Sequence, residues 1–334
     1  MIEDGELYKL GEAFKEALQN NEQEYLAQIA QQWQALEARL TTKYEALAAR
    51  VTEIRNAGVS PVPKSLLLEL EQTKLAVAET VLEADRMALA WKNQIEARQL
   101  EMFAVANGDA LSMLQLAAIE AGVDIGAVSI GGRLPREAIQ KLLDATVNGT
   151  PLRALLEGKF GEHMEEALSI LVDGVASGTN PREVARLMTK ALGPWADNAI
   201  TIARTESLRA YRMATTEAYR ASGIVGKYKR LATRDARTCL GCLFDDGAIY
   251  DIDEELPEHP NGRCTTVPVL DGEDPEWLRG KDWFRTLDSG QQREMLGPTR
   301  YKRWKDGDLE LEDIVGKRDG GDFGPSIGPA PVNA

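Results

Sequence analysis

Three cysteines and one histidine in the C-terminal half of the chain have the spacing of a metal site. Cys239 and Cys242 form a C-x2-C pair, and His259 and Cys264 follow within the stretch His-Pro-Asn-Gly-Arg-Cys. They include every cysteine of the 334-residue sequence and one of its two histidines. Three thiolates and one imidazole are a complete tetrahedral ligand set for Zn²⁺. The pattern therefore predicts a structural zinc site that leaves no coordination position open for water.

Other interpretations of these residues stay open at this point. The cysteines can be reduced packing residues that lie close together, or two of them can form a disulfide. The H-x-E sequence that begins at His163 and the C-x-x-C pair also match part of the zinc deaminase signature. That match lacks its context, because Thr238 stands where the signature has proline and His163 belongs to a predicted helix.

Basic residues are concentrated just before the cysteines. Residues 204–237 contain nine basic and three acidic side chains, a local charge of +6 in a chain whose net charge is −14. The overall charge excludes a nucleic-acid coat that acts through net positive charge, but a local basic strip can bind phosphate or an acidic protein surface. We predict that Arg209, Arg212, Arg220 and Arg230 contact DNA or a partner. The competing interpretation is a solvated helix face with internal ion pairs.

Motifs of common enzyme classes do not occur in the sequence. There is no Walker A pattern, no G-x-G-x-x-G turn after a predicted strand and no G-x-S-x-G elbow. With two histidines in the chain, one of them in the cysteine group, a Ser/His or Cys/His catalytic pair is difficult to assemble. We therefore predict that the chain is not an enzyme and takes no small-molecule substrate.

The elements that carry these residues are mostly helices by their apolar periodicity. From Tyr25 to Ile54, apolar side chains recur at steps of three and four, which predicts one long helix with a narrow apolar stripe. Asn56-Ala57-Gly58 predicts its end, and a second long helix is expected from about Ser65 to Asn107-Gly108. Together they predict an antiparallel hairpin, which is either a docking arm for a protein partner or part of an internal bundle.

The remaining sequence predicts a helical domain and a small mixed module. Short helices are expected from residue 109 onward, one of them starting at Asn180-Pro181 and the last ending before Gly193-Pro194. A further helix is expected from Ala199 to about Ser222. Two β-prone runs, 227–231 and 265–269, flank the cysteines and predict short strands.

The predicted fold class is therefore mainly α: a long N-terminal helical hairpin and a helical domain, followed by a small α+β module that contains the cysteines. The predicted domains are residues 1–108 (hairpin arm), 109–222 (helical domain), 223–318 (α+β module) and 319–334 (a disordered tail, from its glycine and proline content). No run of about 18 apolar residues and no secretory signal occur, which predicts a cytoplasmic protein without a membrane partner.

Several motifs in series resemble the Mu F-like phage head morphogenesis family. The family pattern combines an A-R-T-E helix, a D-x-R-T-C-x-x-C turn, a D-G pair and an H-P-x-C-R-C ending. In this sequence the motifs are found at residues 203–206, 235–242, 246–247 and 259–264, and a similar C-terminal segment follows at 283–315. The resemblance covers about residues 199–315. The sequence departs from the pattern at Gly262, where many relatives have a further cysteine.

The resemblance implies a minor head protein of low copy number that accompanies the portal during procapsid assembly. It also implies contact with capsid or scaffold proteins and with packaged DNA, a location inside the virion head near the portal, and assembly in the host cytoplasm. The residues that carry the family motif are Arg204, Thr205, Glu206, Asp235, Arg237 and Arg263.

Two rival functions remain. One is a zinc-stabilised DNA-binding module outside a virion, which salt-sensitive DNA binding without affinity for a portal would favour. The other, weaker one is a metal-dependent hydrolase or deaminase-like toxin. A metal held by three protein ligands and a water molecule would favour it.

Overall fold

Long helices dominate the computed structural model, which describes residues 5–57, 70–124, 139, 143, 149–158, 160–235, 237–270, 274–319, 323 and 325–331. The predicted fold class, mainly α with a small strand-containing module around the cysteines, is confirmed. The described helices that precede the first strand are α1 (Glu6–Asn56), α2 (Glu71–Glu120), α3 (Leu152–Glu157), α4 (Phe160–Ser177) and α5 (Pro181–Ser222).

Helix α1 has the apolar stripe that its sequence predicts. The stripe residues with at most 1% exposure are Ile29, Leu36, Leu40, Tyr44 and Val51. Arg39 pairs with Glu83 of α2, and Lys43 pairs with Glu79, so the two helices run antiparallel. The predicted turn and the predicted N-cap of the second helix fall in residues 58–69, outside the described residues.

Helix α2 continues beyond Asn107-Gly108, where the sequence predicted its end. That prediction is wrong because tertiary packing outweighs the poor helix propensity of these residues, which costs about 1 kcal/mol at the glycine. The later turns of α2 are buried in one apolar cluster with Tyr8 and Tyr219. The α2 residues of this cluster are Ala110, Met113, Leu114 and Ala117.

Helix α2 is also long and apolar enough to cross a membrane by length and composition. Its most apolar stretch of 18 residues has a mean hydropathy of 1.3, and 44% of that stretch is buried inside the protein. The core helix of a soluble protein can have the same composition, so this feature alone is weak evidence for a membrane span.

Helix α5 continues through Gly193-Pro194, although the sequence predicted a break there. Its predicted start is confirmed, since the Asn180 side chain accepts a hydrogen bond from the Arg182 amide at 2.9 Å. Proline inside a helix costs about 3 kcal/mol. Packing of Trp195, which is 1% exposed, offsets this cost and keeps the helix continuous. The aromatic rings around Trp195 are those of Trp33, Trp91 and Phe160.

The chain divides into two compact units that each combine segments distant in sequence. Unit 1 consists of Met1–Asn21, Ala97–Gly149 and Thr205–Ala334, and unit 2 consists of Glu22–Glu96 and Thr150–Arg204. Helices α1, α2 and α5 each contribute residues to both units. All four predicted metal ligands belong to unit 1. The predicted division of the sequence into four segments stays a prediction about independent folding.

A three-stranded antiparallel sheet supports the cysteine region. Its strands are β1 (Val225–Leu231), β2 (Ile249–Asp251) and β3 (Thr265–Leu270) in the order β2-β1-β3, which confirms both predicted strand segments. Leu231 pairs with Thr265, so the chain leaves β1 and enters β3 at the same end of the sheet. The described helices of this region are α6 (Leu240–Phe244), α7 (Gly280–Thr286) and α8 (Ser289–Asp306).

Residues 315–319 and 325–329 form a hairpin, which corrects the prediction of a disordered tail for the part of 319–334 that the structure describes. Strand β4 (Val315–Asp319) pairs antiparallel with β5 (Pro325–Pro329). Composition predicted disorder, but Ile327 is 3% exposed and shares a buried cluster with Cys242 and Cys264. This packing orders the strand and covers the cysteines.

Two glycines allow the hairpin to approach the cysteine region. A Cβ atom on Gly241, in α6, would lie 2.8 Å from the backbone of Gly328 in β5. Real Cβ atoms do not approach backbone atoms this closely without displacement. The contact between α6 and β5 therefore requires that Gly241 carry no side chain.

Candidate metal centre

Cys239 and Cys242 are held on one tight turn at the start of α6. Cys239 is the N-cap residue of this helix, and its Sγ accepts a hydrogen bond from the Cys242 amide at 3.3 Å. Capping fixes the backbone of the C-x2-C pair and brings the two sulfurs together at the helix start. None of the three cysteines forms a disulfide.

His259 reaches the same point from the loop between β2 and β3. Its Nε2 lies 3.2 Å from Cys242 Sγ, and its Nδ1 lies 2.8 Å from the Pro260 carbonyl oxygen. When the imidazole is neutral, the Pro260 carbonyl oxygen favours the tautomer with the proton on Nδ1. The unprotonated Nε2 then directs its lone pair at the thiols. The ligand atoms of Cys239, Cys242 and His259 all lie within 4.8 Å of one another.

Cys264 belongs to a second group of ligand atoms that shares Cys242. The sulfurs of Cys242 and Cys264 and a carboxylate oxygen of Glu258 lie within 4.8 Å of one another, and all three residues are buried. The four residues predicted from the sequence thus occur in one cluster with Cys242 in common. The sequence does not single out Glu258, because it is one of several acidic residues in the same loop.

Arg230 is a fully buried cation beside this cluster. Its guanidinium contacts Asp245 at 2.8 Å and Glu258 at 2.6 Å, and it lies 3.8 Å from Cys242 Sγ. The sequence predicted that Arg230 contacts DNA or a partner. That prediction is corrected here, because a guanidinium with 0% exposure and two carboxylate partners presents no surface to phosphate.

Two more of the predicted contact residues are also buried. Arg209 is 7% exposed and pairs with Glu206 at 2.6 Å, and Arg212 is 8% exposed and donates to the Cys264 carbonyl oxygen at 3.3 Å. The expected contact with DNA is corrected for both, because their charges are used inside the protein. Arg220 lies nearer the surface, in ion pairs with two acidic side chains.

Asp235 and Arg263 of the family motif join the two loops that carry the ligands. Arg263 donates to the two carboxylate oxygens of Asp235 at 2.8 and 2.7 Å. These hydrogen bonds are the largest cause of a pKa of Asp235 well below the usual carboxyl range. Arg237 donates its amide to the same carboxylate, whereas its side chain is 76% exposed. We call the Asp235–Arg263 pair the loop clamp.

Thr205 and Glu206 of the A-R-T-E motif lie at the other side of the histidine loop. Thr205 Oγ1 accepts a hydrogen bond from the Asn261 amide at 3.0 Å, and Asn261 has a left-handed backbone with φ of 65°. The Glu206 side chain is 1% exposed, and burial raises the pKa of its carboxyl group. The remaining motif residue, Arg204, forms an ion pair with Glu22 at 3.2 Å. The motif residues thus make internal contacts, one of which positions the loop of His259.

The thiols and the imidazole shift one another's pKa values. The hydrogen bond with the Cys242 side chain lowers the pKa of Cys239 to about 4, and the same contact raises the pKa of Cys242. Its hydrogen bond with Cys239 raises the pKa of His259 to about 9. These shifts favour a Cys239 thiolate beside a His259 imidazolium when no metal is bound. A bound cation would displace protons from His259 and Cys242.

The deaminase-like arrangement of the sequence is not assembled in the described residues. His163 lies within α4, in unit 2, and belongs to neither of the two groups of ligand atoms. The cavity bordered by the cysteines has a volume of about 30 Å³, which is room for about one water molecule. A space of this size accommodates a single ion.

A family model agrees with the resemblance seen in the sequence. Residues 165–267 match the family described as Phage Mu protein F like protein. The match contains the A-R-T-E motif, both loops that carry the ligands and the loop clamp. Over these residues the chain is similar to that family.

One similar protein has an enzymatic name. It is an NAD(+)–arginine ADP-ribosyltransferase of Enterococcus faecalis, which is 31% identical over an alignment of 185 residues that covers 50% of this chain and 36% of that protein. This chain therefore spans little more than a third of the relative's length. No solved structure matches the chain.

Proposed function

We propose that this chain is a minor head protein that acts in procapsid assembly together with the portal protein. The observation that carries the proposal is the Mu F-like match over residues 165–267, which includes the cysteine centre and the loop clamp. Capsid or scaffold proteins are its further partners. Its final location is the interior of the virion head near the portal, after assembly in the host cytoplasm.

The cysteine centre serves this function as a structural zinc site. Cys239, Cys242 and His259 supply three converging donors, and the fourth comes from the group that contains Cys264. Zinc favours sulfur and imidazole ligands in a tetrahedral arrangement. A zinc ion with four side-chain ligands would connect the α6 turn to the β2–β3 loop, and it would stabilise the fold without activating a water molecule.

Helix α2 offers the surface through which the hairpin would act as a docking arm. Leu75, Leu82 and Leu89 are 57%, 49% and 43% exposed. Their spacing of seven residues puts them on one face of the helix, and an exposed apolar stripe of this kind is typical of contacts between helices. We assign the contact with the portal or capsid to this leucine stripe.

Contact with packaged DNA is assigned to the end of α8. Four of the six residues from Arg300 to Lys305 are basic and none is acidic. The Lys302 side chain is 78% exposed, and the ammonium group of Lys305 lies 4.1 Å from the centre of the Trp304 ring. Basic residues interleaved with aromatic rings favour nucleic-acid binding. This segment replaces the buried arginines that the sequence favoured.

Co-assembly with head proteins tests the proposed function. The chain is co-expressed with the portal, scaffold and major capsid proteins of the same phage, and procapsids are purified and examined by mass spectrometry and electron microscopy. The chain is expected in procapsids that contain the portal. Replacing the leucine stripe by serines should remove it from these particles, whereas Ile119→Ser, at an α2 side chain 63% exposed outside the stripe, should not. Procapsids without the chain would contradict the proposal.

The name of the Enterococcus relative raises transfer of ADP-ribose to arginine as a second candidate function. We propose instead that the shared segment is the Mu F-like part, because the match leaves most of that relative uncovered. An assay with labelled NAD⁺ and an arginine-rich acceptor decides between them. No labelling above a reaction without protein is expected. Transfer that depends on this chain would make it an enzyme.

A further inference from the structure

The two groups of ligand atoms leave the identity of the fourth zinc ligand to be decided. Cys239, Cys242 and His259 form a complete group of three donors. The second group offers Cys264 and Glu258 next to Cys242. A structural zinc site has four protein ligands in nearly every case. The two candidates for the remaining position therefore differ in chemistry, one being a sulfur and the other a carboxylate oxygen.

Cys264 packs among apolar side chains, and its sulfur lies within 4.8 Å of that of Cys242. It is 2% exposed and belongs to a buried cluster with Ala232, Cys242 and Ile327. A neutral cysteine behaves as a small hydrophobic residue in such surroundings and needs no polar partner. Its burial therefore does not by itself require a metal.

Glu258 has a buried oxygen without a partner. Its side chain is 8% exposed, and Oε1 accepts a hydrogen bond from Arg230 at 2.6 Å. Oε2 is buried and has no hydrogen-bond partner in the part of the chain that the structure describes. A buried carboxylate oxygen needs a donor or a cation. Oε2 is therefore the oxygen left without a donor, and an oxygen of this carboxylate lies within 4.8 Å of the sulfurs of Cys242 and Cys264.

Gly262 provides the room that this carboxylate occupies. A Cβ atom on Gly262 would lie 1.7 Å from Oε2 of Glu258, which is shorter than any non-bonded contact. A side chain at position 262 and the present position of Glu258 therefore exclude each other. The loop between His259 and Cys264 is shaped around the carboxylate.

We propose that Glu258, through Oε2, is the fourth ligand of the metal ion, and that Cys264 is a packing residue. The ion would then be held by Cys239, Cys242, His259 and Glu258, with Arg230 on the other carboxylate oxygen. This inference rests on the zinc site of the proposed function. It adds an oxygen donor that the C-x2-C and H-x4-C spacing does not contain.

X-ray absorption at the zinc edge of the full-length protein tests the ligand set. Sulfur ligands lie at about 2.3 Å from zinc, and nitrogen or oxygen ligands lie at about 2.0–2.2 Å. The proposal expects two sulfurs and two lighter ligands. Three sulfurs and one lighter ligand would overturn it and assign Cys264 as the fourth ligand, while the zinc site itself would stand. A protein without zinc would overturn both proposals.

Variants add an independent measurement, the zinc affinity in competition with a chromophoric chelator. Glu258→Gln should weaken zinc binding by more than the roughly 10- to 100-fold that changes around a metal ligand cause. Cys264→Ala should keep one zinc with nearly unchanged affinity, and so should Glu255→Gln, an exposed glutamate of the same loop. Loss of zinc in Cys264→Ala with retention in Glu258→Gln would overturn the proposal.

A compensating pair of substitutions distinguishes the loss of a metal ligand from the loss of the fold. Because a side chain at 262 begins where Oε2 now lies, the double variant Glu258→Ala/Gly262→Cys should recover zinc binding that Glu258→Ala lacks. Its absorption spectrum should show one sulfur more than that of the unmodified protein. No recovery in a folded double variant would count against Glu258 as a ligand.

Discussion

Asp235 and Arg263 connect the loop before α6 to the loop before β3 by two parallel hydrogen bonds, at 2.7 and 2.8 Å. Paired donors that face a carboxylate are stronger and more directional than a single ion pair. Cys239 follows Asp235 in one loop, and Cys264 follows Arg263 directly in the other. The clamp therefore fixes the two segments of chain on which the cluster depends.

Removing the charge of the clamp should lower the stability of the protein in a pH-dependent way. Asp235→Asn is expected to reduce the free energy of unfolding by about 1–2 kcal/mol at neutral pH. Because the pKa of Asp235 is lowered in the folded state, its stabilisation is present above the ordinary carboxyl pKa of about 4 and is lost as the pH falls toward the lowered value. Urea unfolding at several pH values measures this.

The matched control for the clamp is Asp253→Asn, at a side chain that is 85% exposed. It should change the free energy of unfolding by less than about 0.5 kcal/mol. The difference in the free energy of unfolding between Asp235→Asn and the unmodified protein should become smaller as the pH falls. An equal difference at every pH would show that the carboxylate charge is not what the clamp contributes.

Metal content is the most direct test of the cysteine centre. Protein purified without chelator should contain about one zinc per chain. Cys239→Ser should lose the ion and unfold at a lower temperature, because metal binding and folding are coupled. His163→Ala removes the other histidine and should retain the zinc. If the unmodified protein contains no metal and the variants are equally stable, the cysteines are packing residues.

A side chain at Gly241 should loosen the C-terminal hairpin. Gly241→Ala places a methyl group 2.8 Å from the Gly328 backbone and should destabilise the protein by about 1–3 kcal/mol. Alkylation of Cys242 in the metal-free protein should become faster, since Ile327 covers it. The control is Gly161→Ala in α4, where an added Cβ atom would meet no atom from outside its own helix backbone within 4 Å, and it should not destabilise the protein. Equal effects of both changes would argue against the close contact.

The basic end of α8 should determine DNA affinity if the assignment is correct. Lys302→Glu/Lys305→Glu should weaken binding to duplex DNA and reduce the slope of log K against log salt by about 0.9 for each lost phosphate contact. Arg153→Glu/Arg186→Glu makes the same charge change at exposed residues of α3 and α5 and should leave binding unchanged. Fluorescence anisotropy at several salt concentrations measures both. Equal losses of DNA affinity in the two double variants would show that net charge, and not the end of α8, determines binding.

Local patterns predicted much of this fold. The stripe of α1 and the N-cap at Asn180 are short-range signals, and both strands beside the cysteines were found from their composition. The helix ends at Gly108 and Pro194 were mispredicted because the packing of Trp195 and of the α2 end joins residues far apart in sequence. Helix propensity describes single residues and does not include contacts between distant parts of the chain.

The clustering of the cysteines and His259 was predictable from the sequence, but the residues around them were not. Spacing identified Cys239, Cys242, His259 and Cys264, since metal ligands of this kind come in recurrent intervals. The basic run looked like a binding surface because charge is visible in a sequence, whereas burial is not. Arg230 is enclosed by carboxylates from two later segments, Asp245 and Glu258, which no local pattern places beside it.

The hairpin over the cysteines also sets an order of events during synthesis. A ribosome releases Cys239, His259, Glu258 and Cys264 before it has made the β5 strand that carries Ile327. A nascent chain therefore passes through a stage in which every residue of the cluster is present and the strand that covers it has not yet been made. If the cluster binds zinc as proposed, the ion would reach it most easily in that interval, and zinc supply during translation would influence how much of the protein is loaded.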